Sequence, residues 1–247
     1  MTFLYRFLLS CVCYSLASTV LFAQSALRDS LWTLRIKETT INMYYGSIKG
    51  NAPFFNGAEY TGHGQNIIGH PFFGSGNTFS GFLEYDGVLY NNVSMQYDIV
   101  DDAIIISDFT NNYFIRLNSK KIGRFSLYNF EFIQPSFYQG ASKIPQDGFF
   151  QQLYNGSTIV LVKRKKVVIH KTTIEEKLND RYGQFNSYYI RKGNDYLSIG
   201  RKKDIIQAFA DKKNEIRKFI GENNLNFRKQ PDEMLVRTAA YYDQIKK

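Results

Sequence analysis

Cysteine is almost missing from this chain of 247 residues. The two that occur, Cys11 and Cys13, both lie within the first 23 residues. The rest of the chain has no thiol, which excludes disulfide bonds, a thiolate nucleophile and a cysteine-based metal site there. Packing and hydrogen bonding must therefore supply its stability.

Long apolar runs are also scarce, and the sequence has one, over residues 7–22. A single arginine is the only charge in the first 23 residues, and the small residue Ala23 follows the run. This pattern is typical of a secretory signal peptide over residues 1–23, with Gln24 as the new N-terminus. A retained membrane anchor and a lipid attached at Cys11 are the alternatives. We expect export to the periplasm or cell envelope, or secretion, with no transmembrane span after cleavage.

Familiar catalytic motifs are absent as well. The sequence has no G-x-S-x-G nucleophile elbow and no glycine-rich loop of the kind that cradles phosphates. Gly74-Ser75-Gly76 flanks a serine with glycines, but nothing in the sequence places a base beside it. An enzyme is therefore the less favoured interpretation, and no cofactor is expected.

The sequence is rich in aromatic residues, which make up 16% of the chain and include 18 Tyr and 21 Phe. Such residues favour strands. Asp86-Gly87 separates two alternating runs and predicts a type I′ hairpin. In the run that follows, over residues 88–98, Asp98 falls on the face expected to meet water.

We expect an α+β fold in a single mature domain over residues 24–247. Residues 24–200 are predicted to form mainly a twisted antiparallel meander sheet, either open or a partial barrel. Seven glycines and few periodic apolar residues indicate an irregular connection over residues 50–80. Residues 201–247 are predicted to be helical and basic, and to pack on the sheet.

Two C-terminal helices are expected from residues 201–247. Apolar residues recur at helical spacing over residues 205–220, with Asp204 as the expected N-cap. The second helix is predicted to begin at Gln230-Pro231-Asp232-Glu233, where proline and acidic residues suit the first turn.

Charge is distributed unevenly along the chain. Residues 1–150 carry 10 Lys+Arg and 11 Asp+Glu, a net charge of −1, whereas residues 151–247 carry 21 and 11, a net charge of +10. Two runs concentrate the positive charge, and the first is expected at the tip of a hairpin formed by residues 159–170. The two runs are Lys163, Arg164, Lys165 and Lys166, and Arg201, Lys202 and Lys203.

We predict these seven residues as a binding surface for an acidic envelope protein, a glycan or an anionic lipid surface. Nucleic acid is not an expected partner of an exported chain. A solvated basic face that only aids solubility is the alternative.

Two histidines lie in the glycine-rich connection, His63 and His70, with Glu59 nearby. They are the candidates for a metal site, because three ligands and an open position would suit a metal-dependent hydrolase. Their seven-residue spacing matches no ligand signature, and packing against aromatic residues is the alternative. His170 follows a basic run and is a weaker candidate for a metal ligand than His63 or His70.

Three carboxylates cluster in the segment Tyr97-Asp98-Ile99-Val100-Asp101-Asp102. Calcium loops alternate their ligands with glycine, and no glycine occurs here. Asp101-Asp102 instead fits a turn between two strands. Asp98 is expected to cap that turn or to pair with a base on a strand.

Several short motifs, in their order and spacing, resemble a group of uncharacterised exported proteins common in Bacteroidota. The resemblance covers roughly residues 45–225 and implies an envelope location, without a known activity or site residues. The motifs are Gly69-His70-Pro71-Phe72-Phe73, Tyr85-Asp86-Gly87, Tyr97-Asp98, Phe149-Phe150, Leu153-Tyr154-Asn155-Gly156 and Asp211-Lys212-Lys213-Asn214-Glu215-Ile216.

The function predicted from the sequence is that of an exported, non-catalytic envelope protein. It would be a binding or assembly component that docks through its basic C-terminal half. The alternative is a metal-dependent or other hydrolase that uses His63 and His70.

Overall fold

The computed structural model describes residues 55–64, 66–108, 112–135, 147–170 and 180–246. The predicted signal peptide, its cleavage point and the candidate lipid site at Cys11 lie outside these residues. The strands of the described chain are β1 (Ala58–Glu59), β2 (Phe79–Tyr85), β3 (Val88–Asp98), β4 (Ala103–Ser107), β5 (Phe114–Arg116), β6 (Ile122–Leu127), β7 (Phe130–Ile133), β8 (Phe150–Asn155), β9 (Thr158–Ile169), β10 (Arg181–Lys192) and β11 (Asp195–Ile199). The helices are α1 (Lys202–Ala208), α2 (Lys213–Glu222) and α3 (Pro231–Ile245).

The strands form one sheet in the order β1-β5-β4-β3-β2-β6-β7-β8-β9-β10-β11. Each pair of neighbouring strands is antiparallel, and most neighbours in the sheet are also neighbours in sequence, as in a meander. The sheet is not closed into a barrel, and the helices follow the last strand. The predicted α+β class and antiparallel meander are confirmed.

The turn between β2 and β3 has the predicted geometry. Asp86 has a φ of 54° and Gly87 a φ of 76°. A type I′ turn needs positive φ at both central residues, which Asp and Gly tolerate better than other residues. The hairpin prediction is therefore confirmed.

The open sheet curls far enough to bring together β3 and β9, which are five positions apart in its order. The backbone N–H of Lys166 in β9 donates to the carbonyl of Ile99, just after β3, at 2.9 Å. Aromatic rings fill the core: Phe125 and Phe132 stack with centroids 4.9 Å apart, and Tyr97 meets both rings at close to right angles. All three side chains are fully buried, so part of the aromatic excess is core.

Strand β9 corrects the hairpin predicted around residues 163–166. These residues lie in the middle of one continuous strand of 12 residues, which pairs with β10 along its whole length. The run contains no Gly, Pro, Asn or Asp to make a turn, so its four basic side chains alternate between the two faces of a strand. The hairpin prediction was wrong because it assumed that consecutive charged residues lie at an exposed tip.

Three helices, rather than the two expected, follow β11. A 3-10 turn at Ala210–Lys212 divides the first predicted helix into α1 and α2. Asp204 lies in the first turn of α1 rather than at its N-cap, and its carboxylate accepts the backbone N–H groups of Gly200 and Arg201 at 3.0 Å each. It still satisfies free donors at the helix start. Helix α3 begins at Pro231, as predicted.

The helices pack on one face of the sheet near β9. Val160 and Val162 form one buried cluster with Ile205 of α1, Ile216 of α2 and Leu235 of α3. Apolar helical faces are thus turned to the sheet, and the polar faces of α1 and α2 are left to solvent. None of the helices in the described residues is long and apolar enough to cross a membrane.

Candidate functional site

The glycine-rich connection lies across the end of β3. The backbone N–H of Phe73 donates to the carbonyl of Tyr97 at 2.8 Å, and the N–H of Ile99 donates to the carbonyl of Pro71 at 3.1 Å. Lys166 holds the same segment from β9, because its ammonium donates to the carbonyls of His70 at 2.9 Å and Phe72 at 2.7 Å. The expected wet face of β3 is therefore covered at its end.

Asp98 is the residue that this cover encloses, and its carboxylate is fully buried. One oxygen, Oδ1, accepts the backbone N–H groups of Val100 at 2.8 Å and Asp101 at 3.2 Å, so it caps the β3–β4 turn as predicted. The other, Oδ2, accepts the Tyr60 hydroxyl at 2.7 Å and lies 2.5 Å from Nε2 of His63. The prediction that Asp98 faces water was wrong because Tyr60 and His63 of the glycine-rich connection lie against its carboxylate.

Two glycines place His63 over Asp98. Gly62 has a φ of 79° and Gly64 a φ of 108°, and a Cβ at either position would meet no atom within 4 Å. Glycine is therefore needed for the backbone conformation and not for space. Tyr60 is fixed at the other side, because its N–H donates to the carbonyl of Phe114 in β5 at 2.9 Å.

The remaining members of the site carry opposite charges. Nδ1 of His63 lies 3.9 Å from Oδ1 of Asp101, and Oδ2 of Asp101 forms an ion pair with Arg116 at the end of β5. Burial, followed by the hydrogen bond to Asp98, raises the pKa of the Tyr60 hydroxyl, which keeps Tyr60 a donor. We call Tyr60, His63, Asp98, Asp101 and Arg116 the Asp98 cluster.

The Asp98 cluster can orient a histidine ring between two carboxylates, and it can also offer ligands to a cation. One ligand atom each from His63, Asp98 and Asp101 lies within 4.8 Å of the others. Ligands of tetrahedral zinc at 2.0–2.1 Å from the metal stand about 3.3 Å apart. His63 and Asp98 would therefore have to separate slightly to admit zinc.

His70 and Glu59 do not join the ligand group found among the described residues. The His70 ring stacks on Phe72 with centroids 6.2 Å apart, and its buried Nδ1 has no hydrogen-bond partner among the described residues. Burial, and then the nearby ammonium of Lys166, lowers the pKa of His70. Of the two metal candidates predicted from the sequence, His63 lies with Asp98 and Asp101, which are 35 residues or more away, and His70 does not.

Lys163 is an interior residue of β9. Its ammonium lies 2.6 Å from Oδ2 of Asp102 and donates to the carbonyl of Asp147 at 3.1 Å. The Tyr97 hydroxyl donates to the other oxygen of Asp102 at 2.5 Å. Burial lowers the pKa of Lys163, and Asp102 opposes that shift.

Arg164 is buried on the other side of β9, toward α3. Its Nε donates to Oε1 of Gln151 at 2.8 Å, and its guanidinium pairs with Asp232 at the start of the helix. The Tyr188 hydroxyl donates to Asp232 at 2.8 Å, and burial followed by this bond raises the pKa of Tyr188 to about 12. Lys163 and Arg164 are therefore not part of an exposed face.

The second predicted basic run has a different environment. Arg201, Lys202 and Lys203 are all exposed at the start of α1. Arg201 pairs with Asp204 at 3.3 Å, whereas Lys202 and Lys203 form no ion pair within the described ranges. Of the first run, Lys165 alone is exposed.

No protein family model, curated protein or solved structure matches the chain. The resemblance to exported Bacteroidota proteins therefore stays a prediction from the sequence.

Proposed function

We propose that this is an exported, non-catalytic envelope protein that docks on an anionic lipid surface through α1 and α2. The observation that carries this proposal is a group of exposed bases without acidic partners. Lys202 and Lys203 on α1, and Lys213 and Arg217 on α2, are exposed and form no ion pair in the part of the chain that the structure describes. Together with Arg201, these residues are called the basic face.

The packing of the helices supports this role. Lys213 and Arg217 are four residues apart and share one side of α2. Ile216 on the same helix, like Ile205 on α1, is fully buried against the sheet. A helix with one apolar side packed and basic residues exposed presents its charge outward. Export is supported by the signal pattern of residues 1–23, and the lack of cysteine beyond it is compatible with an oxidising compartment.

Vesicles containing phosphatidylglycerol should bind the protein in a salt-dependent manner. Each Lys or Arg near an anionic surface contributes about 1 kcal/mol, so Lys202→Ala/Lys203→Ala should weaken partitioning about 30-fold. Cosedimentation at an ionic strength of about 0.1 M measures this effect. Raising the ionic strength to about 1 M shortens the Debye length to about 3 Å, so the protein should then leave the vesicles.

The matched control is Lys120→Ala/Lys121→Ala, which removes the same charge from exposed positions between β5 and β6. It should bind as the parent protein does, apart from a small general effect of net charge. Equal losses in both double variants, or binding that is indifferent to salt, would refute docking through the basic face.

A second candidate function is favoured by the convergence of His63, Asp98 and Asp101. We infer that a divalent cation held by this set would support hydrolysis, since a three-ligand site leaves a position for water. This carries over the hydrolase alternative from the sequence, with Asp98 and Asp101 in place of His70. Arg116 competes with the cation for Asp101, which makes this the second choice.

Calorimetric titration of the protein with Zn²⁺ tests the second candidate. One equivalent should bind, and both His63→Ala and Asp98→Asn should abolish the binding. His170→Ala is the control, because that histidine is exposed, pairs with Asp180 and is not one of the three ligands. If Zn²⁺ does not bind the parent protein, the hydrolase candidate is rejected and the docking proposal is unaffected.

A further inference from the structure

A groove of about 620 Å³ lies between β7, β8 and the first turn of α3. It opens where two strands part: β7 and β8 pair only at Phe132 with Gln151 and at Ile133 with Phe150. The first half of β7 and the second half of β8 consequently lie apart, and side chains from both line the groove. Its size is within the range of small-molecule sites.

The groove contains amide groups without protein partners. Gln151 is 2% exposed, and while its Oε1 accepts Nε of Arg164, its Nε2 has no hydrogen-bond partner in the described chain. The side-chain amides of Asn129, Gln152 and Asn155 line the same groove and also form no hydrogen bond there. These amide groups are open to solvent and can donate to, or accept from, a ligand in the groove.

The charged side chains of the groove each have an oppositely charged protein partner. Asp232 pairs with Arg164, and Glu233 pairs with Arg237 at 3.2 Å. Glu131 pairs with Arg124 at 3.2 Å and shares it with Glu84. Because these charges are already engaged, the groove favours a neutral ligand over a strongly charged one.

An aromatic ring at the groove gives the ligand an apolar surface to lie on. Phe130 is 46% exposed and is supported edge-on by Phe73, with centroids 6.0 Å apart. The groove thus combines an aromatic ring with side-chain amides. A pyranose ring fits both features, because its hydroxyl groups donate and accept like amides while its C–H face packs on an aromatic ring.

We propose that this groove binds a neutral oligosaccharide. The groove's volume of about 620 Å³ suits a ligand of more than one sugar ring. This site is separate from the basic face and from the Asp98 cluster, and it does not depend on the proposed lipid docking.

Titration of the protein with chitotetraose, cellotetraose and maltotetraose, followed by calorimetry and saturation-transfer NMR, tests the proposal. At least one of these sugars should bind, and Phe130→Ala should raise its Kd about tenfold, the equivalent of about 1.4 kcal/mol. Gln152→Ala should weaken the same binding without altering the aromatic surface.

Phe114→Ala is the matched control, because Phe114 in β5 is 45% exposed but lies outside the groove. It should leave the Kd unchanged, as should Lys202→Ala/Lys203→Ala in the basic face. The proposal is overturned if none of the three sugars binds, if Phe130→Ala and Phe114→Ala have equal effects, or if a neutral peptide such as tetra-alanine displaces the sugar with higher affinity.

Discussion

Asp98→Ala will lower the free energy of unfolding by about 3–5 kcal/mol, because each buried donor left without an acceptor costs about 1–3 kcal/mol. The carboxylate is completely buried and contacts four polar groups at once. Its removal leaves the backbone N–H groups of Val100 and Asp101, the Tyr60 hydroxyl and the His63 ring without their acceptor. Urea unfolding measures the loss. The urea concentration at the midpoint should fall, while the m-value, the slope of the free energy against urea, should stay unchanged.

Two comparisons separate this effect from a general loss of acidic charge. Asp98→Asn keeps one oxygen and the shape, so it should cost less than Asp98→Ala. Asp101→Ala removes a carboxylate that is 32% exposed from the same cluster and should cost about 1 kcal/mol or less, as exposed ion pairs do. A similar cost for Asp98→Ala and Asp101→Ala would contradict the central role of Asp98.

Asp232→Ala is expected to have the second large effect, about 2–3 kcal/mol. The Arg164 side chain is 9% exposed and loses its countercharge, but Asp232 itself is 41% exposed and Arg164 lines the groove, so water can partly replace the carboxylate. The Tyr188 hydroxyl loses its acceptor at the same time. Thermal unfolding should record a fall in Tm of about 5–10 °C, since each kcal/mol shifts Tm by about 2–4 °C in a chain of this size.

Glu233→Ala is a close control for Asp232→Ala. Both acids lie in the first turn of α3, where a carboxylate interacts favourably with the helix dipole. Glu233, however, is exposed and pairs with Arg237 on the helix surface. Its loss should cost about 1 kcal/mol or less. The double variant Arg164→Met/Asp232→Leu should recover most of the stability lost in Asp232→Ala, because it removes the stranded charge. Without that recovery, the loss in Asp232→Ala has another cause.

Local sequence signals predicted the features that depend on neighbouring residues. Asp86-Gly87 marked a turn because few residue pairs tolerate its backbone angles, and Pro231 marked a helix start because its missing N–H costs nothing there. The split between α1 and α2 was missed, since an apolar pattern at helical spacing continues through the 3-10 turn. Asp204 was assigned to the right helix start but to the wrong position in it.

Features that depend on distant contacts were only partly predictable. Asp98 and His63 were each recognised as chemically interesting, but 35 residues separate them and nothing local shows that they meet. Asp98 was predicted to face water because alternation describes a strand, not the segment that later covers it. Lys163 and Arg164 were predicted to bind another molecule because nothing in the local sequence shows their acidic partners within the chain. Those partners, Asp102 and Asp232, lie 61 and 68 residues away.

The hold of Lys166 on the glycine-rich segment has a consequence for the order in which the chain folds. Its ammonium reaches carbonyls 94 and 96 residues earlier, and neighbouring Lys163 reaches Asp102 across 61. Contacts of such sequence separation form slowly, because a long loop must close before they are made. During synthesis, residues 70–102 leave the ribosome well before β9, so Asp102 has to wait for Lys163. The segment His70–Phe73 can pair with β3 earlier, but Lys166 can hold its carbonyls only when β9 arrives.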